Sequence, residues 1–339
     1  MVVLTADAAP DDGQGTDMAA SADMGAMQAD AAPESDGGEP TEDAMVVEDS
    51  AVPEDATVVE DAMVMIDAMI AVDAMAPVDA MLPPEPIEAI VPEPGEEFAI
   101  LFVGNSYTSV NSLDEVVCEL ARQSERFEDV ICQRVTRDGR RLAQHATDAA
   151  SGGELAQLLN PDDRRRIMWD VVVLQEQSQI PGFPVAQIDH ISFVEAVDEI
   201  NGRIAAVEAQ TALLMTWARR DGDARNEVIF PDYPTMQTRL TQGYNGAAEA
   251  TSTPERPVHV IAAGEAWRRT WVRDADGDFR GLYLNDGSHP SQAGTFLTAL
   301  TILRRTISLD PMGVNPPEAW NLDPELVNRL RNDARGANQ

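Results

Sequence analysis

The chain has 339 residues, of which 59 are acidic and 24 are basic, so its formal net charge is -35. Such a charge repels a polyanion instead of gaining counterion-release energy, which excludes nucleic acid as an expected partner. No apolar run approaches the roughly 20 residues of a membrane-spanning helix, so we expect no membrane span.

The negative charge is concentrated at the start of the chain. Residues 1–97 hold 25 of the acidic residues and no Arg, Lys or His, while the remainder has 34 acidic against 24 basic residues. The same region has no aromatic residue and is rich in Ala, Pro, Met and Gly. It cannot bury enough apolar surface to offset the entropy of ordering. We therefore predict a disordered acidic tail or linker over 1–97.

The tail also bears on localisation. The opening Met1 to Leu4 lacks the basic flank and the length of a signal peptide. The low-complexity acidic stretch nevertheless looks like the spacers that tether bacterial surface proteins. We expect a secreted, periplasmic or cell-surface-tethered protein.

From Phe98 onward the composition is globular, which predicts one domain over 98–310 and a C-terminal extension over 311–339. Five short apolar runs predict strands at Phe98–Val103, Val130–Val135, Asp170–Leu174, Thr211–Trp217 and Val258–Ala262. Helical patterns are predicted at Ser112–Arg126, Arg140–Asn160, Ile188–Ala209, Tyr233–Ala248, Ser291–Ile307 and, in the extension, Asp323–Ala334. Strands that alternate with helices indicate a parallel sheet covered by helices on both faces.

Two smaller features of this domain are open to interpretation. Asp276-Gly277 is typical of a hairpin turn, here between 271–273 and 279–283. Cys118 lies on a predicted helix and Cys132 on the next predicted strand, so the two thiols could meet. Two cysteines are too few for a disulfide scaffold, and a pair of buried free thiols is the favoured interpretation.

The functional loops of a parallel sheet lie beyond the carboxyl ends of its strands. Ser106, Gly139, Gln175 to Gln177 and Asp286 to His289 all lie in or near loops that follow predicted strands. They include a hydroxyl, an imidazole and a carboxylate, which are the groups needed for nucleophilic acyl transfer. The alternative is structural: Ser106 would be a loop or capping residue, and Asp286 to His289 a polar turn.

These blocks resemble the SGNH (also called GDSL) hydrolase superfamily, and the resemblance runs over most of Phe98 to Leu309. That family has its nucleophile in a Gly-Asp-Ser block, which reads Gly-Asn-Ser at 104–106. Its closing Asp-x-x-His block is matched at Asp286 and His289. The resemblance implies that Ser106 is the nucleophile, His289 the general base and then acid, and Asp286 its orienting partner.

The resemblance also implies an oxyanion hole, formed in the family by three donors. The amides of Ser106 and Gly139 match two of them. The third block departs from the family's Gly-x-Asn-Asp, because 174–178 reads Leu-Gln-Glu-Gln-Ser. The aligned donor is the side chain of Gln177, and Gln175 is the alternative. Loss of one such donor typically costs about 10²–10³ in turnover.

Together these features predict a flavodoxin-like three-layer α/β/α sandwich with a five-stranded parallel sheet, acting as a serine esterase on short-chain acyl esters. The substrate is expected to be a small-molecule or glycan ester, with acetyl groups on carbohydrate as one class. Neither a cofactor nor a metal is expected, because His145, His190 and His259 lack metal-ligand spacing.

Asn105, Tyr107 and Trp217 are expected to line the substrate cleft, with Trp217 available to stack on a sugar face. Two alternatives to the esterase remain: an acyltransferase with the same triad, and a non-catalytic glycan-binding surface protein on the same fold. The oligomeric state is not predicted.

Overall fold

The computed structural model describes residues 88–91, 95–274 and 277–337. Most of the predicted acidic tail at 1–97 lies outside these residues, as does Asp276 of the predicted hairpin turn. The last part of the predicted tail contacts the fold, since the amides of Ile90 and Val91 donate to the carbonyl oxygens of Arg305 and Thr306 at 3.0 and 2.9 Å. Ordered contacts therefore begin before Phe98.

Five strands form one parallel sheet, which confirms the predicted fold class. They are β1 (Glu97–Gly104), β2 (Asp129–Thr136), β3 (Val171–Leu174), β4 (Gln210–Leu214) and β5 (Val258–Ile261). The strand order is β2-β1-β3-β4-β5, which is the flavodoxin-like order. Strand β1, the second strand from one edge of the sheet, is almost fully buried from Phe98 to Val103, as expected of a strand covered on both faces. The carboxyl ends of β1 and β3 are aligned, because Val103 pairs with Leu174.

Helices on both faces complete a three-layer sandwich. They are α1 (Ser106–Ser109), α2 (Leu113–Arg122), α3 (Leu142–Ala150), α4 (Glu154–Leu158), α5 (Ile188–Ala206), α6 (Tyr233–Thr251), α7 (Ala263–Arg273), α8 (Asp278–Gly281), α9 (Gln292–Ile307) and α10 (Pro324–Gly336). In one group of helices, α9 packs against α2, α7 and α10. In the other group, α5 packs against α3 and α6. Within the described ranges, no helix is both long and apolar enough to cross a bilayer.

The predicted hairpin around Asp276-Gly277 is wrong, because its two flanks are helical. Residues 271–273 belong to α7, and 279–281 belong to α8. Ala263, Ala266, Trp267 and Thr270 are buried along α7. This spacing of three and four residues is the period of a helix face, and it outweighs the local turn signal.

The favoured interpretation of the two cysteines is also wrong. Cys118 of α2 and Cys132 of β2 form a disulfide bond, with their Cα atoms 5.9 Å apart. The bond joins a helix to the edge strand on which it packs. Whether the two side chains meet depends on the register of α2 on β2, which the sequence pattern does not specify.

Candidate active site

The chain turns sharply at the nucleophile block, directly after the end of β1. Asn105 caps α1, because its Oδ1 accepts the amide hydrogen of Tyr107 at 3.1 Å. Ser106 is therefore the first residue of a helix that begins directly after β1, and it is half-buried. A Cβ atom at Gly104 would lie 2.5 Å from the Oε1 of Gln175, so only glycine fits beneath this turn.

The structure brings the three predicted triad residues together. The Nε2 of His289 lies 2.8 Å from the Oγ of Ser106, across 183 residues of sequence. The Nδ1 of His289 lies 2.6 Å from the Oδ2 of Asp286. With Nδ1 protonated and donating to the carboxylate, Nε2 is left to accept the serine proton. The geometry is that of a hydroxyl, an imidazole and a carboxylate in one relay.

Asp286 is held in its ionised form by the turn that contains it. Its Oδ1 accepts the backbone amides of Ser288 and His289 at 2.9 and 3.0 Å. Partial burial raises the pKa of this carboxyl, but the hydrogen bonds from the His289 ring and the two amides lower it further, so the net pKa lies below its ordinary value. The carboxylate is therefore charged at neutral pH.

Neighbouring elements hold the turn that carries His289. The indole Nε1 of Trp217 donates to the carbonyl oxygen of Ser288 at 3.0 Å, and the hydroxyl groups of Tyr107 and Ser288 share a hydrogen bond of 2.6 Å. The ring of Tyr107 stacks on Trp217 at 4.9 Å between centroids and meets His289 edge-on at 5.5 Å. Trp217 in turn stacks on Trp267 at 4.2 Å. We call Tyr107, Trp217 and Trp267 the aromatic stack.

The expected contact of Trp217 with a sugar is contradicted, because this side chain is 0 % exposed. Tyr107 and Asn105 are also buried. Asn105 uses its Nδ2 to donate to the carbonyl oxygen of Arg140 at 2.9 Å, in addition to its capping bond. Trp217 therefore lies behind the site, whereas Asn105 and Tyr107, although largely buried, line the cleft as predicted.

Gly139 and Gln177 line the same cleft as Ser106 and His289, with a volume of about 350 Å³. Gly139 has a positive φ of 64°, the left-handed region that favours glycine. The side chain of Gln177 is half-buried, and its Oε1 is buried with no partner among the described residues.

Gln175, the alternative oxyanion donor, is excluded by its contacts. Its Oε1 accepts the amide of Asn105 and the hydroxyl of Thr108, both at 3.0 Å, and its Nε2 donates to the carbonyl oxygen of Glu176 at 2.5 Å. The side chain is 1 % exposed. Gln175 supports the nucleophile turn, and its side chain does not line the cleft.

The site contains residues that the sequence patterns did not single out. Arg219, two residues after Trp217, lines the cleft and donates to the Oγ of Ser178 at 3.1 Å and to Asp223 at 2.8 Å. Ser288 lies inside the closing block, and its role became visible only through its bond to Tyr107. Glu176 lies inside the third block, between Gln175 and Gln177.

The histidines outside the triad have structural contacts. His145 bonds the carbonyl oxygen of Gly104 at 2.8 Å, and His190 bonds that of Pro181 at 3.1 Å. Across the part of the chain that the structure describes, no three His, Cys, Asp or Glu side chains are grouped as metal ligands would be.

Comparison with known proteins gives structural likenesses at low sequence identity. No family model and no curated protein matches the chain. A DUF4886 family protein from Bacteroides uniformis is 17% identical with a TM-score of 0.54, over 71% of this chain and 94% of its own. A candidate SGNH hydrolase from Slackia heliotrinireducens is 26% identical with a TM-score of 0.47, over 62% and 98%. The acetylxylan esterase Axe2 from Geobacillus stearothermophilus is 14% identical with a TM-score of 0.42, over 62% and 94%. In its fold, the chain resembles the DUF4886 family protein from Bacteroides uniformis.

Proposed function

We propose that this protein is a serine esterase that hydrolyses short-chain acyl esters through an acyl-enzyme on Ser106. The observation that carries the proposal is the continuous relay from Asp286 through His289 to the Ser106 hydroxyl, with contacts of 2.6 and 2.8 Å. A polar turn without function would not need to direct its imidazole at a serine 183 residues away in the sequence.

The reaction follows from this geometry. The Ser106 oxygen attacks the acyl carbonyl carbon while its proton passes to Nε2 of His289, whose imidazolium form is stabilised by Asp286. The same proton then goes to the departing alcohol as the carbon–oxygen bond breaks, which leaves the acyl group on Ser106. Water attacks this ester with His289 again as the base, and the acid is released.

The negatively charged carbonyl oxygen formed in each step needs hydrogen-bond donors directed at it. We assign these to the backbone amides of Ser106 and Gly139 and to the side-chain amide of Gln177. The supporting observation is that Ser106, Gly139 and Gln177 line one cleft. Gln177 would then replace the family's asparagine with a side chain one methylene longer.

The size and polarity of the cleft support a short acyl group. Its volume of about 350 Å³ is near the lower limit of small-molecule pockets, and Asp138 and Arg219 form part of its lining. We propose acetyl and similarly short esters as the substrates, with acetylated carbohydrate as the class to test first.

Hydrolysis of p-nitrophenyl acetate by the wild type and by Ser106→Ala tests this function. The substitution removes the nucleophile, so we expect kcat to fall by about 10⁴-fold. Ser109→Ala, on the same short helix, is the matched control and should retain activity. A fluorophosphonate probe should label the wild type and not the Ser106→Ala variant.

Other outcomes separate the alternatives. Efficient transfer of the acetyl group to an added alcohol, in preference to water, would indicate an acyltransferase. Absence of both turnover and a Ser106 adduct would contradict an enzymatic function and favour a glycan-binding protein.

We also propose that the protein works in an oxidising compartment outside the cytoplasm. The Cys118–Cys132 disulfide supports this, because such bonds are rare in reduced cytosol. Thiol titration of the denatured protein, isolated without reductant, should find no free thiol until a reductant is added. Free thiols in protein isolated from its own cell would contradict the proposal.

A further inference from the structure

Glu176 is a fully buried carboxyl beside the proposed oxyanion hole. It follows β3 and is 1 % exposed. Both of its oxygens lie 3.2 Å from the backbone amide of Leu142, and its Oε1 accepts the amide hydrogen of Gln177 at 2.6 Å. Leu142 is the first residue of α3 and lies three residues after Gly139. One carboxyl thus joins the two segments that carry the proposed donors.

The Gly139 segment is held from its other side as well. The Nδ2 of Asn105, next to the nucleophile, donates to the carbonyl oxygen of Arg140 at 2.9 Å. The segment between Gly139 and Leu142 is therefore fixed to the nucleophile block through Asn105 and to the third block through Glu176. We call these two contacts the clamp.

We infer that Glu176 is a positioning residue of the proposed reaction, whose ionised carboxylate holds the Gly139 amide and Gln177 at a fixed separation across the cleft from Ser106. The inference rests on the esterase function proposed above. Glu176 does not touch the substrate in this account; it acts through the two segments that it joins. Displacements of about 1 Å in a reacting geometry can cost about 10²-fold in rate, so such a clamp affects turnover directly.

The surroundings of Glu176 make its charge sensitive to pH. Burial raises its pKa to about 7, although hydrogen bonds from the Gln177 and Leu142 amides and the charge of Arg141 oppose the increase. Arg141 precedes α3 and pairs with Asp189 of α5 at 2.6 Å, and Asp189 raises the pKa of Glu176. From α6, the buried Tyr244 faces the same carboxyl, and burial raises the pKa of its own hydroxyl.

His145, one turn further along α3, is the remaining titratable group nearby. Burial lowers its pKa, so it stays neutral around pH 7 and adds no charge.

Ionisation therefore changes the clamp in a definite direction. The carboxylate accepts both amides, whereas protonation converts one oxygen into a hydroxyl donor and weakens one of the two bonds. The contribution of Glu176 to kcat should therefore increase as the pH rises through about 7. Stability changes in the opposite sense: a carboxyl whose pKa is raised by folding stabilises the folded state most below its ordinary pKa of 4.5, and this contribution is lost as pH rises through about 7.

The test compares kcat for p-nitrophenyl acetate between wild type and Glu176→Gln, from about pH 5.5 to about pH 8.5. Glutamine keeps the size of the side chain but carries no charge, and its NH2 group replaces one of the two carboxylate oxygens with a donor. We expect the wild-type to variant ratio of kcat to grow from about twofold at the acidic end to about tenfold at the alkaline end, with KM nearly constant. The ratio cancels every pH effect that the two proteins share.

Asp170→Asn is the matched control. Asp170 lies at the opposite end of β3, where it accepts the amide of Ala99 at 2.8 Å, and burial also raises its pKa. Its substitution should leave the pH dependence of kcat unchanged. At the alkaline end, Glu176→Gln should unfold at the same temperature as wild type or higher, because it removes a buried charge. A residue with only a structural role would lower activity and melting temperature together.

A kcat ratio that stays constant with pH, or a fully active Glu176→Gln, would overturn the inference. Amide hydrogen exchange tests the clamp without activity: Glu176→Gln should speed exchange at Leu142 and Gln177, and unchanged exchange would also overturn it. A wild type that hydrolyses no ester would instead contradict the proposed function, whatever the exchange measurement shows.

Discussion

At the scale of single residues, the orientation of His289 depends on Asp286. The carboxylate satisfies the imidazole Nδ1 and two backbone amides of its own turn, so one side chain fixes both the ring and the loop. Its side chain is 48% exposed, and its lowered pKa places its protonation below the range in which an esterase is assayed. The residue matters for tautomer and orientation more than for global stability.

Asp286→Asn should therefore reduce kcat by about 10²–10⁴-fold while the melting temperature changes little, because an amide no longer holds the productive tautomer. The measurement is ester hydrolysis together with thermal unfolding at the same pH. Asp232→Asn makes the same chemical change at an exposed helix cap, where asparagine is an equally good cap. Equal activity losses in both variants would contradict the role of Asp286.

The meeting of Ser106 with Asp286 and His289 could be predicted from the sequence because these residues occur in recognisable blocks, although in the structure only the Ser106 block directly follows a strand and the Asp286 block follows α8. The environment of each side chain could not be predicted from the sequence. Gln175 and Gln177 look equivalent in the sequence, and only the contact of Gln175 with the amide of Asn105, 70 residues away, separates their roles. The burial of Trp217 likewise depends on Trp267, which lies on a different element.

At the scale of elements, the turn of His289 is positioned by segments from three separate parts of the chain. Tyr107 comes from α1, Trp217 follows β4, and Trp267 lies in the middle of α7. Only the first two bond the turn, through Ser288. The indole of Trp267 instead donates to Thr298 of α9 at 3.1 Å. The aromatic stack thus combines core packing with control of the site.

Trp217→Phe and Trp267→Phe form a matched pair that separates these roles. Both side chains are 0% exposed and each loses one indole hydrogen bond, so each substitution should lower the free energy of unfolding by about 1–3 kcal/mol. Only Trp217→Phe should also lower kcat, by about tenfold, since only Trp217 bonds the His289 turn. Urea unfolding and ester hydrolysis are measured side by side; equal kcat losses would show that packing alone is responsible.

At the scale of the whole molecule, the C-terminal extension is part of the packed domain. Leu330 and Ala334 of α10 are 0% exposed, and Asp333 accepts from Arg273 of α7 at 2.6 Å. Arg329 of α10 and Arg273 both contact Asp278 of α8. None of these residues lines the cleft, so their contacts should affect stability without changing the chemistry.

Leu330→Ala should lower the free energy of unfolding by about 2–5 kcal/mol through lost burial and a residual cavity. Its kcat at a temperature where the protein remains folded should equal that of wild type. Val228→Ala is the control, because Val228 is 98% exposed and its truncation should change neither quantity. A large kcat loss in folded Leu330→Ala would indicate that α10 is coupled to the cleft.

The 183 residues between the Ser106 hydroxyl and the His289 ring have a consequence for biosynthesis. On the ribosome, the nucleophile emerges with the first strand, whereas its base follows only after the fifth strand and α7 have been translated. A nascent chain therefore exposes a serine without a proton acceptor, which is chemically inert. On the proposed function, hydrolytic activity would appear only once nearly the entire domain has left the exit tunnel.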